Sequence, residues 1–153
     1  MKNVIFLIFV ILKGDSPMDD EKYANELLEE ARAYFPLLFK KVASYRVYAP
    51  MALLIELSDG KVFLFDSLIQ TTTRLPDDDN SMTKEQTGRV FGVLLRRVMA
   101  RKGFTQIGLA EATGLRQCQI CNYTYGRSVP SYYAFDKIVR ALGCSAEDLR
   151  YVK

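Results

Sequence analysis

The 153-residue chain contains no histidine. That absence removes the commonest general base and the commonest zinc ligand among side chains, so hydrolytic and zinc-dependent chemistry lose their usual residues. Cysteine is scarce too: there are 3, an odd number, and Cys118 and Cys121 share one helical pattern instead of bracketing loops. A disulfide framework does not fit that placement, whereas a reducing, cytoplasmic setting does. With Cys144 the only other thiol, the CxxC spacing falls short of the four ligands a structural zinc needs. No phosphate-cradling glycine loop and no nucleophile motif occurs, so the expectation is a protein that is not an enzyme and needs no metal or cofactor.

An apolar run of the ~20 residues needed to span a bilayer is also missing. The longest, VIFLIFVIL at residues 4–12, stops at nine. It is similar to the apolar part of a signal peptide, but no small-residue cleavage site precedes Lys13-Gly14-Asp15. Two readings of residues 1–17 stay open. They form a buried N-terminal strand, or they are a translated leader whose Lys-Gly-Asp codons are a purine-rich ribosome-binding sequence, with the true start at Met18.

What is present is a chain able to fold: 49% hydrophobic and 25% charged residues suffice for a core and argue against disorder. The net charge of +3 conceals an uneven distribution. Residues 81–153 carry 12 Lys and Arg against 5 Asp and Glu, an excess of +7, while residues 18–80 carry 7 against 12, or −5. The C-terminal half is therefore the one suited to a polyanion.

In the acidic half, Tyr23, Leu27, Leu28, Ala31 and Phe35 repeat at helical spacing until Pro36 ends the pattern. A further short turn of helix is expected over residues 37–42. Next, MALLIELS and KVFLFDSL flank Asp59-Gly60, the signature of a two-residue hairpin turn with positive φ at both positions. That turn would pair Leu57 with Val62 and Ile55 with Leu64 on one face, and Leu54 with Phe65 on the other. Composition adds an expected strand over residues 45–48. Thr71-Thr72-Thr73 and the acidic PDDDN that follows lack the alternating ligands of a calcium loop and read as the end of the module and a solvated linker.

The basic half is a succession of helices. Thr83 and Gln86 have capping-box spacing and open a helix through Val90, Phe91, Leu94, Leu95 and Val98, closed by Gly103. Thr105 caps a short helix that carries Leu109 and Ala110, Gly114 interrupts it, and a second helix runs from about Arg116 with Ile120 and Tyr123 on its inner side. Phe135, Ile138, Val139 and Leu142 mark a fourth helix before Gly143, and Ser145 with Asp148 caps a fifth. A small residue, a turn glycine and an apolar anchor in this order are what a helix-turn-helix requires.

KGFTQ, LAEATGL, Ile120, YGRSVPS and KIVRALGCSAEDL, taken in order, resemble the lambda repressor and Cro-like helix-turn-helix domains of phages and bacteria, over about residues 88–150. The acidic half and its linker are similar, more distantly, to the front ends of small regulators of phages and Gram-positive bacteria. The fold so implied is mostly α with a small β-hairpin: a C-terminal five-helix DNA-binding domain preceded by an α+β module of helix plus hairpin. Its divisions are the leader at 1–17, the module at 18–76, a linker at 77–82 and the helix-turn-helix domain at 83–153.

The resemblance implies a transcriptional regulator, expected to be a phage or mobile-element repressor, that binds double-stranded DNA as a homodimer with the helix at about 116–124 in the major groove. It places Gln117 and Cys118 where base-contacting residues fall, Asn122 one turn further on, and Gln106 at a phosphate contact. Gln and Asn also suit this on their own chemistry, since each presents a donor and an acceptor to the edge of adenine. Gln119 lies on the same outer side, and Arg116 and Arg127 flank the helix as backbone or groove contacts. Many family members carry a buried Arg–Glu pair where this chain has Met99 and Thr124, and losing both partners strands no charge. Arg96, Arg97, Arg101 and Lys102 fit a solvated face as well as a phosphate-facing one, and the tyrosines Tyr123, Tyr125, Tyr132 and Tyr133 fit the core or its edge. The rival reading is an antitoxin or inhibitor whose acidic module binds a protein partner while the helix-turn-helix autoregulates.

Overall fold

The computed structural model describes residues 17–76 and 82–150, and the leader and most of the expected linker lie outside the described residues. The chain divides into two compact units between Leu75 and Pro76.

The first unit is a helix on a sheet. Helix α1 (Pro17–Tyr34) is followed by strands β1 (Val42–Ala49), β2 (Ala52–Leu57), β3 (Val62–Asp66) and β4 (Thr71–Leu75). They form one antiparallel sheet in the order β1-β2-β3-β4. The expected small hairpin is thus the middle of a four-stranded meander, and this chain is a mixed α+β protein. Thr71-Thr72-Thr73, the expected end of the module, forms part of strand β4, paired with Asp66, Phe65 and Leu64. Three β-branched residues in a row suit a strand, and the Asp-rich stretch directly behind them hid that signal. The expected helical turn over residues 37–42 is a hydrogen-bonded turn that runs straight into β1.

The β2–β3 register differs by one residue from the expected one. The loop has three residues: Leu57 N–H donates to the Lys61 carbonyl at 2.9 Å, and Gly60 N–H to the Leu57 carbonyl at 3.0 Å. Only Gly60 has positive φ there, at 86°. Asp59 avoids that conformation, and its carboxylate accepts from Lys61 N–H at 3.0 Å. The observed pairs are therefore Ile55 with Phe63, Leu53 with Phe65 and Leu54 with Leu64. A one-residue slip exchanges faces, so Leu53, Ile55, Phe63 and Phe65 face α1 together. They close over Tyr23, Leu27, Leu28 and Ala31, which are buried as their spacing predicts. Phe35, Phe39, Phe63 and Phe65 pack edge to face, with ring centroids 6.1–6.4 Å apart.

The second unit is helical. Helix α2 (Lys84–Lys102) begins with the predicted capping box, in which Thr83 Oγ1 accepts from Gln86 N–H and Gln86 Oε1 accepts from Thr83 N–H. It ends at Gly103, φ 72°. Helices α3 (Gln106–Thr113), α4 (Gln117–Thr124) and α5 (Tyr132–Leu142) follow. Where a fifth helix is expected the described residues form one 3-10 turn, Ala146–Leu149, with Asp148 accepting from both the N–H and the hydroxyl of Ser145. Val90, Leu94, Leu95, Val98, Leu109, Ile120, Ile138 and Leu142 are all buried and make the core. On α5 the buried side is Ala134, Ile138 and Leu142, which leaves Tyr132 and Tyr133 outside at 79% and 78% exposure, not at the core edge.

Candidate nucleic-acid interface

The local sequence accounts for α3 and α4. Thr105, extended at φ −91°, accepts from Gly108 N–H through its side chain and starts α3. Gly114 stops α3 in the left-handed conformation, φ 73°, which costs a glycine nothing. Thr113 Oγ1 accepts from Leu115 N–H and fixes the turn between the helices. Ile120, with no exposed surface, anchors α4 in the core, to which α3 contributes the buried Leu109 and Ala110. This is a helix-turn-helix.

The far end of α4 is fixed more tightly than its apolar anchor alone would achieve. It closes in a Schellman arrangement, Arg127 N–H donating to the Asn122 carbonyl and Gly126 N–H to the Tyr123 carbonyl, with Gly126 at φ 68°. Gly88 and Gly92, four apart on one side of α2, receive that turn. A Cβ on Gly92 would lie 2.8 Å from the Tyr123 carbonyl oxygen and 2.9 Å from both Gly126 N and Thr124 O, and one on Gly126 would lie 2.9 Å from the Arg89 Cα. Two glycines four apart in a helical pattern were visible in the sequence as a signal of close backbone approach. Sequence reasoning passed over them.

It also misplaced Arg96. Instead of standing on a solvated or phosphate-facing side, Arg96 is partly buried and its Nη1 donates to the Thr124 carbonyl at 2.8 Å, placing a cation at the negative end of α4. Thr124 itself is 1% exposed. Its hydroxyl accepts from Gln106 Nε2 at 3.0 Å and donates to the Cys121 carbonyl at 2.9 Å. With Met99 also buried, a set of uncharged acceptors and one arginine joins α2, α3 and α4 at this end.

The predicted reading residues distribute as follows. Gln117 and Cys118 are exposed in the first turn of α4, beside the exposed Arg116 that precedes it. Asn122 lies one turn on and is half-buried. Arg127 is exposed, its guanidinium 4.9 Å from the centre of the Tyr125 ring, a cation–π contact that stiffens a long side chain. Gln106 is half-buried at the first residue of α3, one amide proton committed to Thr124. Gln119 is turned back along the helix: its Oε1 caps α4 by accepting from the Arg116 N–H at 3.0 Å, so its carbonyl oxygen already has a partner.

Cys118 is exposed, while Cys121 and Cys144 are partly buried. Burial and the neighbouring Asp148 carboxylate raise the Cys144 thiol above its usual range. Among the described residues, no group of three or more Cys, Asp or Glu is arranged to hold a metal ion. None of the described helices is long and apolar enough to cross a membrane.

No protein-family model and no curated protein matches the chain. Among solved structures, it is similar to the restriction-modification controller protein C.AhdI from Aeromonas hydrophila, at 27% identity and a TM-score of 0.40, over 41% of this chain and 96% of that one. It is similar also to the clp gene regulator ClgR from Corynebacterium glutamicum, at 30% identity and 0.40, over 41% of this chain and 82% of that one. A third is the hypothetical transcription factor NHTF from Neisseria, at 26% identity and 0.40, over 49% and 84%.

Proposed function

We propose that this chain is a sequence-specific, double-stranded DNA-binding transcriptional regulator, not an enzyme, and acts as a homodimeric repressor of a phage or mobile element. The observation that carries this reading is the arrangement of α4. Its inner side is locked by Ile120 and by the glycine-lined seat on α2, while its first turn holds the polar Gln117 and Cys118 in solvent. A helix held rigidly with a polar first turn exposed has the geometry for base edges in the major groove.

In this reading Gln117, Cys118 and Asn122 face bases, and Gln106, Arg116 and Arg127 face the backbone. Gln119 acts indirectly, by capping the helix that carries them. The positive excess of residues 81–153 supports salt-dependent attraction to phosphates. One helix-turn-helix reads few base pairs, so a dimer on a two-fold operator is needed for useful specificity.

Selection of bound duplexes from random DNA by the full chain, followed by titration of Gln117→Ala, tests the proposal. The variant should lose about 1–3 kcal/mol on the selected sequence and relax preference at one base pair, whereas Arg127→Ala should weaken all duplexes alike and lower the salt slope by about one. An unchanged preference in Gln117→Ala sinks the assignment of α4 as the reading element.

A further inference from the structure

Cys118 and Cys121 form a CxxC pair of which the DNA reading uses only Cys118 and leaves Cys121 without a role. Both lie on α4, Cys118 exposed in its first turn and Cys121 partly buried three residues on. Three residues along a helix the Cα atoms are about 5 Å apart, within the span of a disulfide. The Cβ atoms, at about 5–6 Å, must close to about 4 Å for the bond to form, so one of the two positions has to move.

The hydrogen bonds decide which. The Cys121 carbonyl accepts from the Thr124 hydroxyl at 2.9 Å and from the Tyr125 N–H at 3.0 Å. Its neighbour Ile120 is in the core, and the turn that follows is seated on Gly92. Cys118 belongs to the first turn of α4, whose N–H groups have no partner within a helix. That turn is closed on a single acceptor, the Arg116 carbonyl, which takes Gln119 N–H at 3.0 Å and Ile120 N–H at 3.2 Å. Cys121 is the fixed member of the pair, and Cys118 the one that can move.

We propose that Cys118 and Cys121 are a thiol–disulfide exchange site, which takes low-molecular-weight disulfides as its substrate and switches off base reading when oxidised. The exposed Cys118 sulfur attacks one sulfur of the incoming disulfide, displacing one thiolate and leaving a mixed disulfide. The Cys121 sulfur then attacks the Cys118 sulfur, and the second thiolate leaves. Two protein thiols are oxidised to one S–S bond, the incoming disulfide is reduced to two thiols, and the protons given up by the cysteines go to those thiols. Closing the bond draws Cys118 out of the reading position and displaces the first turn, which also carries Gln117. A bond formed against the helix geometry is strained, and strained disulfides are the readily reduced ones, so reducing conditions reverse the step. The effect on binding rests on the DNA reading proposed above.

In the test, the full chain is exposed to oxidised glutathione and cleaved after its arginines and lysines. Both cysteines then fall in the peptide 117–127, and Cys144 in the peptide 141–150. The wild-type 117–127 peptide should be two hydrogens lighter and carry no glutathione. The ratio of affinities for the duplex that the reduced chain selects and for a scrambled one should fall about 10-fold or more, and dithiothreitol should restore both mass and ratio. Cys121→Ser, which leaves the reduced ratio unchanged, should instead retain glutathione on Cys118, and Cys144→Ser should behave as wild type. A wild-type peptide that retains glutathione on Cys118, or stays unmodified while the urea-unfolded chain is oxidised, overturns the exchange site. So does a ratio left unchanged by a bond that has formed. If the reduced chain prefers no duplex, the DNA reading fails, and the peptide masses still decide for or against the bond.

Discussion

Replacing Gly92 with Ala tests how α4 is held, and two opposed effects can be weighed. Alanine in a helix interior is favoured over glycine by about 1 kcal/mol, because glycine loses more backbone entropy and buries nothing. Against this, the new Cβ would sit 2.8–2.9 Å from three backbone atoms of the α4 terminus, where carbon prefers about 3.5 Å or more to its neighbours. Those atoms belong to a Schellman turn closed by its own hydrogen bonds, so no side chain can swing aside. Relief of about 0.5 Å must come from moving α4 or bending α2; overpacking costs about 1–3 kcal/mol, and three close contacts to backbone atoms place this case in the upper part of that range, about 2–3 kcal/mol. The strain also stretches the Arg96 bond to Thr124. The steric effect should win by about 1–2 kcal/mol. Gly88→Ala, whose Cβ would meet the Gly126 carbonyl oxygen at 3.1 Å, should be milder. Hydrogen exchange of α4 amides in the full chain measures this directly, because it reports one unit without requiring the chain to unfold in a single step. Protection should fall about 5- to 30-fold in Gly92→Ala. Protection equal to or above wild type would refute the reasoning and mean that α4 is not seated on the glycines.

Further expectations concern the cysteines, the anchor and pH. Iodoacetamide should modify Cys118 first and Cys144 last, since burial and Asp148 raise the Cys144 thiol, and a selected duplex should protect Cys118; mass spectrometry of the labelled peptides resolves the order. Ile120→Ala empties a site with no exposed surface and should destabilise the second unit by about 2–5 kcal/mol, seen as loss of protection in α2–α5. The Asp148 carboxyl is held below its ordinary value of 3.8, first by the Ser145 N–H and then by the Ser145 hydroxyl. A depressed carboxyl stabilises the fold at neutral pH, and the contribution is lost as pH falls below about 4. Asp148→Asn should remove that acid-sensitive component from a pH series of thermal unfolding.

The helical unit was legible in the sequence because each of its breaks is local. Thr83, Thr105 and Ser131 cap through their own side chains, and Gly103, Gly114 and Gly143 end helices in a conformation that few other residues adopt. Leu109, Ile120 and Ile138 are buried where periodicity places them. The acidic unit was legible in part. The spacing of Tyr23, Leu27, Leu28 and Ala31 identified the helix and its buried side. The hairpin was found but set one residue out of register, because an Asp-Gly pair serves a three-residue loop as readily as a two-residue one. The choice follows from which face must meet α1.

The candidate site divides in the same way. That Gln117 and Cys118 stand in solvent at the start of a helix follows from residue order alone, since Ile120 and Tyr123 fix which side is inner. Gln119, three residues from the Arg116 N–H that it caps, is a local case that its spacing could have shown. What becomes of Gln106 and Arg96 does not follow. Each is a long polar side chain with several rotamers, and its partner is chosen by what packing brings within 3 Å: the Thr124 hydroxyl for Gln106, the Thr124 carbonyl for Arg96. Glycines 88 and 92 likewise acquire their meaning only when the end of α4 arrives against them. Backbone conformation and the inner side of a helix are set within a few residues of chain, and so the sequence determines them. Hydrogen-bond partners and close approaches join residues distant in the chain, and only the tertiary structure decides them.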